Sequence, residues 1–517
     1  MAVACLAAFG GASPAAAVRV TTYNVLNFPG STGTQREPSF RAVLEGVNPD
    51  ILVSQEMLSQ AGVDQFLGNV LNTLWPGEFA AVAFTNGPDT DNVCFYRPAV
   101  VEFISTRQIH TTLRDISEYV FRSLGSSSAG GEIRLYSFHL KAGSSGSDEA
   151  QRLAEATILR DELNALPAGS NFAALGDFNI RAATEAAYQK LVGSEADDDG
   201  RLFDPIDTPG TWYNNPAFVT IHTQSPRTDA FGGGATGGMD DRFDQILVSA
   251  SLLDGEGWDV IAGTYTPYGN DGNHFNLSIN AGANTAVPQA VADAIHDAAD
   301  HCPVYADFMV PAEISAPVAL DFGTVPVGAV VELTLEIENT ALVPGDTLEY
   351  SLSAPTGFLA DLGPHAVLAG AGAGEHAIAL DTSQPAVYSA NLVVSSSDLD
   401  QASWNVLLTA TVQATTAVAE AAPPAAARLL PARPNPFNPS TTLRYQVPAG
   451  GARVRLSVHD LSGAEVARLA EGWVSSGLHE ARWTGVDGAG QPAASGLYLI
   501  RLQAGEAVEV GKALLVR

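Results

Sequence analysis

Cysteine and positive charge are both scarce in this sequence. Its 517 residues include 3 cysteines, and 26 Lys and Arg stand against 57 Asp and Glu, so the formal net charge is -31. Beyond the first few residues only Cys94 and Cys302 remain, too few for a disulfide framework, and the sequence leaves open whether they pair. The acidic balance argues against long-range attraction to a polyanion, and therefore against tight non-specific binding of nucleic acid.

Long apolar runs and several catalytic motifs are missing as well. Beyond the N-terminus no apolar run is long enough to span a bilayer, so no transmembrane segment is expected in the mature chain. A Walker loop and a Gly-x-Ser-x-Gly elbow are absent, as are a Cys pair and a His-x-x-x-His pair at zinc-ligand spacing. These absences argue against P-loop, serine-hydrolase and zinc chemistry.

Composition divides the chain into five segments. The first combines a short apolar stretch with the small residues Ala15-Ala16-Ala17, the pattern of a secretory signal peptide cleaved before Val18. Later segments change from mixed helix and strand patterns to strict alternation of apolar and polar residues, which is typical of β-sandwiches. The predicted segments are a signal peptide (1–17), a layered α/β (α+β) domain (18–310), an immunoglobulin-like β-sandwich (312–413), an Ala- and Pro-rich linker (414–428) and a second small β-sandwich (429–517).

Six polar stretches characterise the layered domain, and most lie at the ends of predicted strands. Periodicity predicts strands over 18–22, 51–53, 93–95, 133–137, 172–175 and 245–248, and a helix over 148–166 with Ser147 or Asp148 as its N-cap. The polar stretches are Tyr23-Asn24, Gln55-Glu56, Phe138-His139-Leu140-Lys141, Gly176-Asp177-Phe178-Asn179, Arg242-Phe243-Asp244 and Asp300-His301-Cys302-Pro303. Together they supply carboxylates, amides and imidazoles without a nucleophilic Ser or Cys pattern. This inventory suits a divalent cation and the hydrolysis of a phosphate ester by water.

Each stretch also has a plain structural interpretation. Glu56 directly follows an apolar run and needs either a metal ion or a salt-bridge partner, and the sequence favours neither. Asp177 and Asn179 are spaced to face a metal, a water molecule or a phosphate from one loop, but the same residues favour an Asx-turn. His301 needs a second group on its other ring nitrogen, and Asp244 is the better candidate for that role.

The remaining basic groups are predicted to bind the substrate or to be structural. His139 and Lys141 would offer cationic or donor groups to a phosphate, although a lysine at a strand end is more often simply solvated. The other histidines of the layered domain lack comparable contexts and are predicted to be structural or exposed, with His274 as the strongest candidate for an exception. They are His110, His222, His274 and His296.

In this order the six stretches resemble the endonuclease/exonuclease/phosphatase superfamily over about residues 18–308. The resemblance implies a deoxyribonuclease-like four-layer sandwich, in which two face-to-face β-sheets are flanked by helices and the site lies at one end. It implies Mg²⁺ or Mn²⁺ as the cofactor, with Ca²⁺ as an alternative. The implied roles are metal binding by Asn24, Glu56, Asp177 and Asp300, phosphate contacts by His139 and Asn179, and activation of water shared between Asp177 and the His301–Asp244 pair.

The two β-modules carry resemblances of their own. Residues 312–413 are similar to immunoglobulin-like domains appended to bacterial surface proteins, and 429–517 resemble the C-terminal sorting domain of type IX secretion. The second resemblance implies export by the type IX machinery and a secreted or cell-surface-attached protein. Its motifs are Asn435-Pro436-Phe437-Asn438-Pro439, Val458-His459-Asp460-Leu461-Ser462-Gly463, Ser495-Gly496-Leu497-Tyr498 and Lys512-Ala513-Leu514-Leu515-Val516-Arg517.

Three functions follow as hypotheses. The first is a secreted, Mg²⁺-dependent phosphodiesterase, with DNA or RNA as the expected substrate. The second is a sphingomyelinase-like phospholipid phosphodiesterase, which would need an exposed apolar loop that the sequence does not clearly provide. The third is a surface adhesion protein that has lost catalysis, against which the intact set of acids, amides and imidazoles argues. The oligomeric state is left open.

Overall fold

A computed structural model describes residues 17–87, 89–127, 129–414 and 426–517. Most of the predicted signal peptide and of the linker lies outside these residues. The chain forms two compact units, one up to Val412 and one from Gln413 onward, and each is described by itself. Among the described residues, no helix combines the length and the apolar character that crossing a membrane requires.

The first part of the chain, residues 17–310, is here called the layered region. Its strands are β1 Val18–Phe28, β2 Ile51–Met57, β3 Ala80–Ala81, β4 Asp91–Tyr96, β5 Val101–Ile109, β6 Ile116–Ser123, β7 Glu132–His139, β8 Phe172–Asp177, β9 Asp244–Val248, β10 Asp259–Val260, β11 Thr266–Pro267 and β12 Val304–Met309. Its helices are α1 Gly33–Val47, α2 Gln60–Phe66, α3 Asn72–Leu74, α4 Gly146–Asn164, α5 Ala186–Val192 and α6 Gln289–Ala298. Every strand predicted from the sequence is present.

Two sheets in the layered region pack face to face. One has the order β10-β12-β1-β2-β4-β3 with β11 beside β12, and the other has the order β5-β6-β7-β8-β9. Side chains alternate along each strand, so that Val18 and Val20 enter the core between the sheets while Tyr23 and Val25 face α1, α2 and α6. On the outer face of the second sheet, α4 and α5 cover a further apolar cluster. The predicted four-layer fold is confirmed.

Helix α4 begins earlier than the sequence indicated. Ser145 is the N-cap, because its side chain accepts a hydrogen bond from the Asp148 N–H while the Asp148 carboxylate accepts one from the Ser145 N–H. This reciprocal pair is a capping box, which satisfies two donors at once. The prediction of Ser147 or Asp148 as N-cap was therefore wrong.

Strand direction gathers the polar stretches at one end of the two sheets. Strands β1 and β2 run parallel, as do β7 and β8, so the C-terminal ends of all four strands carry functional side chains. Strand β9 runs antiparallel to β8 and begins at Asp244, and β12 runs antiparallel to β1 and begins just after His301. Cross-strand pairing places His139 opposite Asp177 and Asp177 opposite Asp244.

An immunoglobulin-like sandwich follows in the same compact unit. Its strands are β13 Ile314–Ser315, β14 Ala319–Pro326, β15 Glu332–Asn339, β16 Leu348–Ser353, β17 Phe358–Leu359, β18 His365–Val367, β19 Gly374–Leu380, β20 Ala386–Ser396 and β21 Ser403–Gln413. They form the sheets β13-β15-β19-β17 and β14-β21-β20-β16-β18. Ala341 and Leu342 of this sandwich pack against the core between the two sheets of the layered region. The Asp346 N–H also donates to the Val310 carbonyl at 2.8 Å.

The C-terminal unit is a second β-sandwich. Its strands are β22 Arg428–Leu429, β23 Thr441–Val447, β24 Ala452–His459, β25 Glu465–Val474, β26 Gly477–Trp483, β27 Gly496–Ala504 and β28 Ala507–Leu515. They form the sheets β22-β23-β26 and β25-β24-β27-β28. Trp483 is buried between Phe437 and Tyr498, with ring centroids 5.3 and 4.9 Å away. Two of the motifs that suggested a sorting domain therefore belong to the core of this sandwich.

At Gly176 the pairing of β7 with β8 leaves no room for a side chain. Its φ is +144°, and a Cβ there would lie 2.0 Å from the Phe138 carbonyl oxygen. We expect Gly176→Ala to destabilise the layered region by about 3 kcal/mol or more, because backbone rather than a flexible side chain must move. Chemical denaturation followed by circular dichroism measures this. Gly68→Ala, where a Cβ meets open space, is the control and should change stability by less than about 1 kcal/mol. Equal stability of the two variants would contradict the prediction.

Candidate functional site

A cavity of about 240 Å³ opens at the end of the sheets where the polar stretches meet. Its walls come from the ends of β1, β2, β7 and β8, from the segment before β12 and from the loop between α5 and β9. The lining residues are Leu26, Asn27, Glu56, His139, Ala142, Asp177, Asn179, Gln224, Gly233, Gly234, Ala235, Asp300 and His301. Larger hollows elsewhere on the chain contain none of the predicted site residues.

Asn24 holds two carboxylates in place. Its Nδ2 donates to Glu56 Oε1 at 3.0 Å and to Asp177 Oδ2 at 3.3 Å, and its Oδ1 accepts the Leu26 N–H at 3.0 Å. The Asn27 N–H donates to the other oxygen of Glu56 at 2.9 Å. Asn24 therefore positions Glu56 and Asp177, and its predicted metal contact stays a prediction.

Glu56 stands in a backbone conformation that non-glycine residues seldom adopt. Its φ is +62°, at the point where the pairing of β2 with β4 shifts register. Such conformations persist where the surrounding structure imposes them, and they are concentrated at functional sites. The turn lifts the Glu56 carboxylate out of the sheet and into the cavity.

Asp177 is the central carboxylate of the cavity. Its Oδ2 lies 3.3 Å from His139 Nε2 and 3.6 Å from His301 Nε2, and its Oδ1 accepts the Asn179 N–H at 3.0 Å. The last contact is an Asx-turn, so the local interpretation of this motif is correct as well. The turn is compatible with a site, because Asn179, with φ +51°, also lines the cavity and donates from Nδ2 to the Leu140 carbonyl.

His301 lies between a carboxylate and an amide. Its Nδ1 is 2.7 Å from Asp244 Oδ2, as the sequence predicted, and its Nε2 is 2.6 Å from the Gln224 side-chain amide. Asp244 is completely buried, and the Thr223 hydroxyl accepts its N–H at 3.0 Å. The pair fixes the imidazole ring with its Nε2 edge toward the cavity.

Asp300 joins a glycine-rich loop to the cavity wall. Its Oδ2 accepts the Ala235 N–H at 2.5 Å, and a Cβ on Gly234 would lie 2.7 Å from its carboxyl carbon. Its Oδ1 is buried without a hydrogen-bond partner among the described residues. One carboxylate oxygen thus positions the loop, while the other is left for a ligand.

The two cavity histidines have opposite charge preferences. Burial lowers the pKa of His139 well below its ordinary value, which favours the neutral form of the ring and a role as a hydrogen-bond donor. Burial alone would also lower the pKa of His301, but Asp244, Asp177 and Asp300 together raise it well above the ordinary value. The charged form of the His301 ring is therefore favoured relative to that of His139.

The carboxylates respond to the same burial. Burial raises the pKa of Asp177, and the charge of His301 offsets this only in part. Burial, followed by repulsion from Asp300, raises the pKa of Glu56. Three crowded acids with too few cations nearby are the condition that a divalent ion relieves.

The cavity offers carboxylate oxygens, the ligand type that a divalent cation prefers, although its three acids are not a group whose ligand atoms all lie within 4.8 Å of one another. Glu56, Asp177 and Asp300 line one small cavity, and Asp300 Oδ1 is an orphaned buried oxygen that points to a missing partner. Mg²⁺ is usually held by one or two carboxylates and keeps several of its waters, so this sparse oxygen set suits it better than a closed cage would.

Lys141 is the predicted site residue that the structure does not bring to the cavity. Its Nζ lies 3.2 Å from Asp148 and donates to the Ala142 carbonyl, so helix α4 holds the side chain. The predicted substrate contact by Lys141 is thus not supported.

Cys94 and Cys302 are both buried free thiols, so they do not form a disulfide bond with each other.

Gln224 and the glycine-rich loop are site residues that sequence reasoning missed. Gln224 lies in an irregular segment whose backbone pairs with both Asp241 and His301. Neither a periodic pattern nor a spacing marks it. The run Gly232-Gly233-Gly234 was a visible signal, but nothing in the sequence says that it folds back to Asp300.

A second acidic group lies at the start of the immunoglobulin-like sandwich. One oxygen each from Glu313, Asp398 and Asp400 falls within 4.8 Å of the others. Asp398 also accepts the Ile314 N–H, and repulsion adds to burial in raising the pKa of Glu313 to about 8. This cluster is separate from the cavity and contains none of the predicted site residues.

Comparison with known proteins gives one family match and several structural ones. Residues 438–507 match the family described as the FlgD Ig-like domain. No curated protein matches the chain. Among solved structures, truncated Caenorhabditis elegans TDP2 is 18% identical, with 56% of this chain and 96% of that chain covered and a TM-score of 0.37.

Two further structures cover the same share of this chain, 56%. D. rerio TDP2 complexed with single strand DNA product is 13% identical, with 98% of that chain covered and a TM-score of 0.38. The human Nocturnin catalytic domain with bound sulfate anion is 16% identical, with 94% of that chain covered and a TM-score of 0.34.

The opposite charge states of the two histidines can be measured directly. In metal-free protein at pH 7 we expect the ring of His301 to be protonated and that of His139 to be neutral. Asp244→Asn should lower the pKa of His301, because it removes the charge that opposes burial, and leave His139 neutral. Nuclear magnetic resonance of the labelled imidazole rings across pH 5–9 reads out both groups. Asp297→Asn, beside the partly exposed His296, is the control. A neutral His301 ring at pH 7 would contradict the assignment.

Proposed function

We propose that the layered region is a divalent-metal-dependent phosphodiesterase and that its substrate is nucleic acid. One observation carries the proposal, namely that Glu56, Asp177 and His301 come from separate parts of the layered region and line a single cavity. The His301–Asp244 pair supplies a positive charge, and Asp177 is a carboxylate of raised basicity. This combination is suited to attack by water on a phosphorus atom.

The two central residues divide the work of the reaction. Asp177, whose pKa burial raises, is suited to accept a proton from the attacking water. His301 is held as an imidazolium by Asp244 and is aimed at the cavity, where it can neutralise the charge that builds on the phosphoryl oxygens. His139 and Asn179 add neutral hydrogen-bond donors to the same space.

The bond changes are those of a simple hydrolysis. The water oxygen forms a bond to phosphorus and its proton passes to Asp177, while the ester bond on the opposite side of phosphorus breaks. The departing oxygen takes up a proton, returned from Asp177 through solvent, and becomes the alcohol. The products are a phosphomonoester and an alcohol. Glu56, Asp177 and Asp300 would hold the cation, most simply Mg²⁺ or Mn²⁺. The cation would supply positive charge to the phosphate and lower the pKa of the attacking water.

Activity tests of site variants decide the proposal. We expect the full chain to hydrolyse single-stranded DNA or RNA in the presence of Mg²⁺ or Mn²⁺. The reaction should stop when a chelator is added. Asp177→Asn and His301→Ala should each lower kcat/KM by about 10²- to 10⁴-fold, the usual loss for a proton-transfer group. Glu56→Gln should raise the metal concentration needed for half-maximal rate. Release of acid-soluble nucleotides is the measurement.

A matched control and a contrary outcome complete this test. Glu149→Gln changes an exposed carboxylate in the first turn of α4, away from the cavity, and should leave the rate unchanged. Full activity of an Asp177→Asn, His301→Ala double variant would refute the site. Hydrolysis of sphingomyelin without any nuclease activity would move the substrate assignment to phospholipids, and failure to bind Mg²⁺ or Mn²⁺ in calorimetry would favour a non-catalytic adhesion protein.

For the C-terminal unit we propose a role in export. The motifs of residues 429–517 support a sorting module read by the type IX secretion machinery, and the N-terminal small-residue pattern supports a cleaved signal. The enzyme would then act outside the cell or on its surface. In a host that has the type IX machinery, removal of residues 429–517 should leave the chain in the periplasm while the full chain reaches the medium or the cell surface. Immunoblotting of the fractions checks this, and equal export of both chains would contradict it.

A further inference from the structure

One exposed aromatic residue lies next to the cavity. Tyr213 is 41% exposed, and it is the only Phe, Tyr or Trp classed as exposed among the described residues of the layered region. The Arg181 guanidinium lies over its ring, with Cζ 4.2 Å from the ring centroid. Such a pair is a cation–π contact that presents a flat, partly apolar surface together with a positive charge.

The backbone fixes this pair rigidly. The N–H groups of Trp212 and Tyr213 both donate to the Arg181 carbonyl, at 2.9 and 3.2 Å, and the Asn214 N–H donates to the Asp240 carbonyl at 2.8 Å. Trp212 is fully buried and packs edge-on against Tyr188. A ring so anchored loses little conformational entropy when a ligand covers it.

Two segments of the chain connect the Tyr213–Arg181 pair to residues that line the cavity. Arg181 is two residues beyond Asn179, which lines the cavity, and two residues span at most about 7 Å. On the other side, Asp240 precedes Asp241, whose backbone pairs with Gln224, and the Gln224 amide touches His301. The pair is therefore connected to the cavity through Asn179 on one side and through Asp241 on the other, and the charges of Arg181, Asp177 and His301 all act on Asp241.

Arg181 differs from three of the cations around the site, while Arg36 and Arg227, which act electrostatically on Asp300, share with it the lack of an ion pair among the described residues. Lys141, Arg114 and Arg242 each have a carboxylate partner, at 3.2, 2.9 and 2.7 Å. Arg181 makes no ion pair within 4.0 Å among the described residues. Asp240 and Asp241 feel its charge only at longer range, since it partly offsets the rise in pKa that burial gives them. On a chain with a net charge of -31, an available guanidinium beside a phosphate-cleaving cavity is a specific feature.

From this juxtaposition we propose that Tyr213 and Arg181 form a nucleotide subsite, in which a base adjoining the scissile phosphate stacks on Tyr213 and a neighbouring phosphate approaches Arg181. The inference rests on the proposed phosphodiesterase function and names its substrate as an unpaired nucleic-acid strand. A base offers a flat face to an aromatic ring only when it is unpaired. A phosphocholine headgroup is disfavoured, because its cation would be repelled by the Arg181 guanidinium beside the ring, whereas a neutral base would not.

The test varies both partners of the proposed stacking contact, the nucleic-acid base and the Tyr213 ring. The full chain and its Tyr213→Ala variant are assayed on a short single strand of DNA and on the same strand carrying abasic sugar analogues. On the normal strand we expect Tyr213→Ala to lower kcat/KM about 10-fold, mainly through KM, while Tyr213→Phe stays near the wild type. On the abasic strand the difference between wild type and Tyr213→Ala should disappear. An equal loss on both strands, or no loss on either, would overturn the subsite.

A binding measurement separates this inference from the proposed function. In an Asp177→Asn background, an oligonucleotide carrying 2-aminopurine should lose fluorescence when its base stacks, and adding Tyr213→Ala should abolish that quenching. Quenching that survives Tyr213→Ala would overturn the subsite even if the enzyme is an active nuclease. If the chain binds the probe through Tyr213 but hydrolyses no phosphodiester, the subsite stands and the proposed catalysis fails.

Discussion

The alignment of three strand ends is the constraint on which the rest of the site depends. Main-chain pairing sets His139, Asp177 and Asp244 side by side across β7, β8 and β9. A slip of one residue would turn each of these side chains to the opposite face of the sheet. Gly176 permits the close approach of β7 and β8 that this register needs. The layered core therefore determines the chemistry, because it decides which charges are buried together.

The two buried histidines of the cavity, His139 and His301, differ in the direction of their pKa shifts. Both cavity imidazoles are almost completely removed from water and both lie near two carboxylates, but Asp244 is 2.7 Å from His301 Nδ1 whereas Glu56 is 3.8 Å from His139 Nδ1, and the pKa values of the two rings are shifted in opposite directions. Burial raises the pKa values of Glu56 and Asp177, and a bound cation would stabilise their charged forms.

Much of the fold and part of the site were predictable from sequence. Apolar and alternating runs predicted strands that the structure contains. The short polar motifs at the ends of these strands predicted Glu56, Asp177 and His301 as site residues, because side chains at strand ends on one edge of a sheet lie close together. The sequence could not show that Lys141 turns to Asp148, or that the Asn24 oxygen is taken by the Leu26 N–H. Gln224 escaped notice because an irregular segment has no period, and its position depends on contacts distant in sequence.

The immunoglobulin-like sandwich has a closer relation to the layered region than its separate sheets suggest. Ala341 and Leu342 help to fill the space between the two sheets, and Gly257 and Val310 are hydrogen-bonded to Asp346. A chain that ended at Met309 would leave part of that interior open to water. Losing the sandwich would then resemble a cavity mutation in the layered region itself, so evolution could not freely exchange this module for another without also repacking its neighbour.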